Sequence, residues 1–157
     1  MVAAMLAVVL GSIAWNEWEL ASGTQVRLRV QPVDPHDPFR GEYVDLSYPI
    51  SNIRIVGPPG PKTGATVYVP LRRFNGVWTG GVGMTNRPSN GETFIRGRVT
   101  SANMDSHSVK YGIETFYVEE GQAQKYERAI VDGSLYADVV IDGSGEARLK
   151  DLVIRPQ

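Results

Sequence analysis

The sequence predicts a mainly β protein in which an N-terminal apolar helix is followed by an antiparallel β-domain. Three observations lead to this prediction. Residues 1–15 form an uncharged apolar run, most later segments alternate apolar and polar residues, and 17 glycines and 10 prolines separate those segments. A chain of 157 residues suits one domain with a short appendage. We therefore expect an anchor in residues 1–22 and a β-domain in residues 23–157.

The composition excludes several kinds of function. The chain has no cysteine, which rules out disulfides, thiolate catalysis and cysteine-ligated metals. Its two histidines, His36 and His107, are too far apart in sequence to form a helical pair of metal ligands. The formal net charge is -1, and the arginines alternate with apolar residues instead of clustering. We therefore expect no nucleic-acid binding.

The apolar run, MVAAMLAVVLGSIAW, predicts a helix in a membrane. Its length of about 22 Å, at about 1.5 Å per residue, falls short of a hydrocarbon core of roughly 30 Å. Trp15 and Trp18 suit the membrane interface, whereas WNEWEL is a poor site for signal-peptide cleavage. We expect an uncleaved anchor that contacts the bilayer through residues 1–18. A helix buried in a soluble protein is the alternative.

Alternating apolar residues predict the strands that follow. Val26, Leu28 and Val30 would share one face of the first strand. The strands are predicted over Gln25–Val30, Glu42–Ile50, Ser51–Ile55, Thr66–Arg72, Val77–Gly83, Thr93–Thr100, Ser108–Val118, Leu135–Ile141 and Ala147–Ile154. The other predicted elements are a loop over Gly57–Gly64, hairpin turns at Asn75–Gly76 and Asp142–Gly145, and a helix over Glu119–Ala129.

The two halves of the β-domain are weakly similar to each other. A shift of 68 positions brings Tyr43 onto Tyr111 and Tyr48 onto Phe116, and the Val67–Tyr68 pair onto Leu135–Tyr136. This similarity indicates two copies of a strand–strand–linker–hairpin unit, in residues 24–88 and 92–157. They would form one barrel or two packed sheets. An accidental match between β-rich stretches is the alternative.

The densest motif is PVDPHDPFRGEYVDLSY, residues 32–48. Each Asp-Pro pair favours an extended or turn backbone, and Asp34 and Asp37 suit Asx turns. The guanidinium of Arg40 could join this corner to a carboxylate or to carbonyl oxygens. Gly41 suits a positive φ or a bulge. The motif therefore predicts a rigid corner.

A strand is predicted directly after this corner. We expect Leu46 and Tyr48 on one face of that strand and Tyr43 on the other, because side chains alternate along a strand. The further segment Tyr111–Tyr117 predicts a half-buried strand in which Glu114 pairs with a nearby arginine.

The residue types present could serve three kinds of catalytic or metal site. Asp34, His36, Asp37 and Glu42 could bind a divalent cation, but the glycine spacing of a calcium loop is absent. Two of these carboxylates could also serve a glycosidase, although no cleft is predicted. Ser22 with Lys62 or Lys110 could form a serine–lysine hydrolase, but Ser22 lacks the Ser-Met-x-Pro context of signal-peptidase-type enzymes. We expect no metal, no cofactor and no catalysis.

The motif residues resemble those of the GDYXXLXY family of bacterial proteins. Gly41, Tyr43, Leu46 and Tyr48 fall at the spacing of that motif, and Glu42 stands where it has an aspartate. The resemblance continues at Gly23-Thr24, at Tyr111-Gly112-Ile113-Glu114 with Phe116 and Tyr117, at Glu120-Gly121 and in the closing GSGEARLKDLVI.

The resemblance implies a single-anchor membrane protein with an exported β-domain, on the periplasmic or extracellular side of the cytoplasmic membrane. Such proteins are often encoded beside polytopic membrane proteins or fused to them. We therefore expect a non-catalytic accessory module whose partner is a polytopic membrane protein or its own copies. A filament or pilus-like subunit and a membrane-bound hydrolase are the alternatives. The candidate interaction residues are Asp34, Asp37, Arg40, Gly41, Glu42, Tyr43, Leu46, Tyr48, Tyr111, Gly112, Glu114 and Tyr117.

Overall fold

The computed structural model describes residues 23–32, 43–57, 60–89, 91–103, 106–119 and 121–155. These residues form eleven strands and one α-helix, which confirms the prediction of a mainly β protein. The strands are β1 (Thr24–Arg29), β2 (Tyr43–Asp45), β3 (Asn52–Val56), β4 (Thr66–Phe74), β5 (Val77–Gly80), β6 (Val82–Met84), β7 (Phe94–Ala102), β8 (His107–Lys110), β9 (Thr115–Tyr117), β10 (Leu135–Ile141) and β11 (Ala147–Ile154); the helix is α1 (Ala123–Val131).

The predicted N-terminal helix, residues 1–22, lies outside the described residues. Within the part of the chain that the structure describes, no helix is both long enough and apolar enough to span a bilayer.

The sheet closes into a five-stranded barrel with additional strands. Nine strands follow the order β11-β10-β1-β5-β4-β6-β3-β8-β7, and β4 pairs with β7 to close the barrel formed by β4, β6, β3, β8 and β7. Strands β2 and β9 form a separate two-stranded sheet. The prediction of an antiparallel domain holds for most pairings, but β1–β5 and β3–β6 are parallel. Parallel neighbours need long connections, and other strands lie in sequence between the members of each pair.

Three predicted strands are interrupted in the structure. The stretch Glu42–Ile50 leaves the strand after Asp45 and turns into a short 3₁₀ helix at Pro49–Ser51. The stretch Ser108–Val118 breaks between β8 and β9, where Gly112 has a φ of 82°. The stretch Val77–Gly83 divides at Gly81, because β5 pairs with β4 and β1 whereas β6 pairs with β3. Local alternation did not reveal these changes of partner.

The predicted turns and the internal helix are present. Asn75 and Gly76 both have positive φ, 49° and 81°, as the tight turn between β4 and β5 requires. At the turn between β10 and β11, the carboxylate of Asp142 accepts bonds from the N–H groups of Ser144 and Glu146. Helix α1 starts four residues later than predicted and ends at Val131, followed by Gly133 with a φ of 66°.

A single core fills the space between these elements. The strands of both halves bury alternating apolar residues, and α1 adds Ala129 and Ile130 to the same cluster. Within β1 the buried residues are Val26 and Leu28, with Val30 just beyond the strand. The face predicted to be apolar in this strand is therefore the face that packs.

The strands of the two halves pair with each other in equivalent ways. Strand β1 pairs with β10, with Leu28 opposite Ala137, and β7 pairs with β4, with Ile95 opposite Val69. Likewise β2 pairs with β9 and β8 pairs with β3. Each half therefore supplies the neighbours of the other.

Near Tyr43, the equivalent strand pairings of the two halves are related by a shift that differs from the predicted 68 positions. The pair Asp45–Thr115 corresponds to the pair Ser108–Asn52, which is a shift of 63 residues for both members. The shift of 68 applies to the buried residues of β4 and β10, such as Ala137 and Val69. At a shift of 63 Tyr48 corresponds to Tyr111, whereas the predicted shift of 68 brings Tyr43 onto Tyr111.

We predict that Gly97→Ala destabilises the barrel by about 1–3 kcal/mol, the usual cost of overpacking a filled core. A Cβ at Gly97 would lie 2.7 Å from Cε1 of Tyr111 and even closer to Val109. The matched control is Gly143→Ala, because a Cβ there meets nothing within 4 Å. Urea denaturation of both variants measures the difference, and equal stability of the two would contradict the prediction.

Candidate functional site

The structure divides the predicted interaction residues into two groups. Asp34, Asp37, Arg40, Gly41 and Glu42 lie outside the described residues. The remaining predicted residues are described: Tyr43, Leu46, Tyr48, Tyr111, Gly112, Glu114 and Tyr117. These seven come together around the contact between β2, β9 and the turn that precedes β9.

Two tyrosines join the motif to the second segment through reciprocal hydrogen bonds. Tyr48 Oη donates to the carbonyl oxygen of Ile113 at 2.6 Å, and Tyr111 Oη donates to the carbonyl oxygen of Ile50 at 2.6 Å. Tyr48 is 0% exposed and Tyr111 is 6% exposed. We call these two tyrosines and the two carbonyls they bind the reciprocal tyrosine pair.

The backbone around each tyrosine is held in the same way. In residues 48–51, Ser51 Oγ accepts the N–H of Tyr48 at 3.1 Å. In residues 111–114, a carboxylate oxygen of Glu114 accepts the N–H of Tyr111 at 2.5 Å. Each tyrosine is therefore fixed by the side chain three positions later. The sequence contains a signal for this arrangement, a Tyr-x-Ile-Ser/Glu pattern at residues 48–51 that recurs 63 positions later at residues 111–114. The alternation of apolar residues did not reveal this pattern.

Glu114 differs from its predicted role. The other carboxylate oxygen accepts the N–H of Gly112 at 2.9 Å, so the side chain satisfies two backbone donors of its own turn. Among the described residues no arginine forms an ion pair with it. The prediction of an arginine partner is therefore wrong within that part of the chain. A turn with a positive φ at Gly112 leaves successive N–H groups unpaired, and Glu114 is near enough to accept them.

Burial keeps both tyrosines of the reciprocal pair protonated. Desolvation raises the pKa of Tyr48 and of Tyr111 far above the ordinary value, and the negative charge of Glu114 raises both further. The hydroxyls therefore act as neutral donors. Because each one donates to a carbonyl oxygen inside the protein, neither is available to a substrate.

The two-stranded sheet presents a second pair of aromatic rings at the surface. Tyr43 lies opposite Tyr117, and their rings meet edge to face with centroids 6.4 Å apart. Tyr117 is 77% exposed, and Tyr43 is partly exposed. Leu46 and Tyr48 are buried and Tyr43 is partly exposed, so the predicted alternation of burial continues past the end of β2 at Asp45. The motif strand thus has one structural face and one accessible face.

Most of the residues considered for catalysis or metal binding, including Asp34, His36, Asp37 and Glu42, lie outside the described residues. Lys62 lies exposed in a loop, Lys110 lies exposed on β8, and Ser22 falls outside the described residues. The described residues contain no group of three histidines or carboxylates that could hold a metal ion.

We predict that Tyr48→Phe and Tyr111→Phe each lower the free energy of unfolding by about 1–3 kcal/mol, because a buried carbonyl loses its donor. The matched control is Tyr117→Phe, which removes a hydroxyl from an exposed ring and should change stability by less than about 0.5 kcal/mol. Thermal and urea denaturation measure the differences. Losses no larger than that of the control would contradict a structural role for the reciprocal tyrosine pair.

The raised pKa values predict a loss of stability at alkaline pH. Below the ordinary tyrosine pKa of 10.0 both states keep the phenol protons; above it, only the unfolded chain releases them. The free energy of unfolding should therefore fall as the pH rises above 10.0, by about 1.4 kcal/mol per pH unit for each buried tyrosine. Urea midpoints over this range, compared between the wild type and each Tyr→Phe variant, measure the slope. An unchanged slope in both variants would contradict the assignment.

Comparisons with known proteins relate the chain to a protein family. No curated protein and no solved structure matches the chain. A family model described as "GDYXXLXY protein" matches residues 5–152, which is nearly the whole chain and includes both segments of the reciprocal tyrosine pair. The chain therefore belongs to the GDYXXLXY protein family.

Proposed function

We propose that this protein is a non-catalytic accessory module that binds a polytopic membrane protein. An anchor within residues 1–22 would hold the β-domain on the periplasmic or extracellular side of the cytoplasmic membrane. The observation that carries the proposal is the division of the motif aromatics into two sets. Tyr48 and Tyr111 make buried hydrogen bonds, whereas Tyr43 and Tyr117 form a ring pair at the surface.

The buried set supports a structural role for half of the motif. Both hydroxyls and the carboxylate of Glu114 are already hydrogen-bonded within the protein. A catalytic group needs a polar atom free to reach a substrate, and these side chains use theirs to hold backbone. The part of the motif left for recognition is the face of β2 and β9 that carries the exposed rings.

The exposed set has the properties of a contact surface. Tyrosine is enriched at protein interfaces because its ring supplies apolar area and its hydroxyl supplies a hydrogen bond. Tyr117 leaves most of its ring accessible, and Tyr43 directly follows the Asp34–Glu42 part of the motif in the sequence. We call Tyr43 and Tyr117 the exposed tyrosine face.

The strands that carry the exposed tyrosine face are held in place by buried side chains and by a backbone hydrogen bond. Val44, which follows Tyr43, is fully buried and lies opposite Phe116. Phe116 in turn packs edge to face on Tyr126 of α1 with centroids 6.3 Å apart. The N–H of Leu46 donates to the carbonyl of Glu114 at 2.7 Å, next to the reciprocal tyrosine pair. A surface held in one conformation loses less entropy when a partner binds, which favours recognition.

The membrane location is supported by the apolar run and by family membership. Residues 1–15 carry no charge, and Trp15 and Trp18 have the character of interfacial residues. The family match begins within this run, at residue 5. Placement of the domain outside the cytoplasm belongs to the proposal, as does a polytopic partner.

We also infer that residues 24–88 and 92–157 are two copies of one unit. The inference is supported by the equivalent pairings β1–β10 with β7–β4 and β2–β9 with β8–β3. The reciprocal tyrosine pair, in which each unit supplies one donor and one acceptor, supports it further.

A photocrosslinker at the exposed tyrosine face tests the proposed function. We would replace Tyr117 with a photoreactive phenylalanine analogue in the full chain and irradiate native membranes. We expect covalent capture of one polytopic membrane protein, identified by mass spectrometry. The matched control places the same analogue at Phe74, which is 71% exposed at the tip of the β4–β5 hairpin.

The outcomes separate the competing interpretations. Capture of a polytopic protein at position 117 but not at 74 supports the accessory module. Capture of copies of the chain alone would replace it with a self-assembling subunit. Equal capture at both positions, or no capture at either, would contradict a specific role for the exposed tyrosine face.

A further inference from the structure

Positively charged side chains of neighbouring strands lie together on one outer face of the barrel, although they are separated in the sequence. In β7, Arg96 and Arg98 alternate with the buried residues Ile95, Gly97 and Val99. In the sequence, the alternation of arginines with apolar residues predicts that the arginines do not cluster. In a strand, however, side chains two positions apart project from the same face, so alternation gathers these two arginines on the outside of the barrel.

The strand register adds a third cation to the same face. Lys110 of β8 lies directly opposite Arg98, and Thr66 of β4 lies opposite Arg98 on its other side. Like charges directly opposite each other across two strands are destabilising. In the described part of the chain, neither Arg98 nor Lys110 has a carboxylate oxygen within ion-pair distance. Arg96 is paired with Glu146 at 2.8 Å, and both side chains of this pair are largely exposed.

Aromatic rings border these cations. Tyr68 of β4 and Phe94 of β7 meet edge to face with centroids 5.7 Å apart. The guanidinium of Arg87 lies over the Phe94 ring at 5.5 Å and also donates to the carbonyl of Gly143. Beside this aromatic pair is an open depression of ≈ 500 Å³, lined by Thr66, Tyr68, Arg96, Arg98, Lys110 and Glu146 among others.

We propose that this face binds the headgroups of anionic phospholipids. We call Tyr68, Phe94, Arg96, Arg98 and Lys110 the cationic face. Phosphate diesters would occupy the space between Arg98 and Lys110 and relieve their repulsion. Tyrosine and phenylalanine beside cations suit the boundary between headgroups and water. The depression is open and broad, which fits a lipid surface better than an enclosed small molecule.

The charge distribution agrees with this proposal. Three cations, Arg96, Arg98 and Lys110, and one carboxylate, that of Glu146, line the depression. The chain as a whole has a formal net charge of -1, so this excess of positive charge is a local feature. Each cation near an anionic bilayer strengthens association by about fivefold. The proposal rests on the proposed function in one respect, because the anchor would bring the domain close to the headgroups.

A single fluorescent label can report the contact, because the chain has no cysteine of its own. Thr66→Cys places the label at the edge of the cationic face, where the native side chain is exposed. The labelled full chain would be placed in nanodiscs of phosphatidylcholine alone or of phosphatidylcholine with phosphatidylglycerol. We expect protection of the label from an aqueous quencher only in the anionic discs. High salt should remove this protection.

Paired substitutions test the assignment of the contact. Arg98→Gln with Lys110→Gln removes two cations. This double variant should lower the ratio of protected to unprotected label by about 25-fold. The matched control, Arg54→Gln with Arg128→Gln, removes the same charge from exposed positions on β3 and α1 and should leave the protection unchanged. The stability of the first variant should not fall, since it removes a repulsion.

Each other outcome would overturn the proposal. Equal protection in neutral and anionic discs would show that charge recognition plays no part. An equal effect of both paired variants would assign the contact to net charge instead of to this face. Protection by inorganic phosphate or by a short single-stranded RNA in neutral discs would reassign the face to a soluble anion. Because the discs contain no partner protein, the result is independent of the photocrosslinking experiment.

Discussion

Two buried phenol hydroxyls impose the constraint on which the arrangement of the two halves depends. Each hydroxyl must find an acceptor inside the protein, because an unpaired polar group in the core is costly. Tyr48 finds its acceptor only in the second half and Tyr111 only in the first. Satisfying both at once constrains how β2 meets β9 and how β3 meets β8. Strands β2 and β9 carry the aromatic surface, and β3 and β8 are neighbours in the wall of the barrel.

The sequence predicted what is local and failed where distant segments meet. Alternating apolar residues identified β1, β4 and β10, and Asn75–Gly76 identified a hairpin, because these signals act over a few residues. Register between β2 and β9 depends on contacts far apart in the chain, and near Tyr43 the pairings are related by a shift of 63, not by the 68 read from the sequence. The pattern of residues 48–51 and 111–114 was missed because Pro49 and Gly112 differ, as do Ser51 and Glu114.

Charged residues with the same strand pattern have different surroundings in the two parts of the sheet. In β1, Arg27 lies opposite Asp138 and binds its carboxylate through two nitrogens, at 2.5 and 2.6 Å. In β7, Arg98 lies opposite Lys110 and meets a like charge. The sequence of a single strand does not distinguish these cases, since the neighbour across the sheet decides them. The register therefore brings together cations that lie apart in the sequence.

The exchanged pairing of the halves also bears on how the chain folds as it is synthesised. The carboxylate that Arg27 binds is 111 residues further along the chain, and β4 must likewise wait for β7. Until the second half has been synthesised, β1 and β4 in the first half therefore lack strand partners that they have in the folded protein. Contacts so distant in sequence slow folding, because a long loop must close before the pairing stabilises it. The sheet can therefore be completed only after β10 and β11, the last strands of the chain that the structure describes, have left the ribosome.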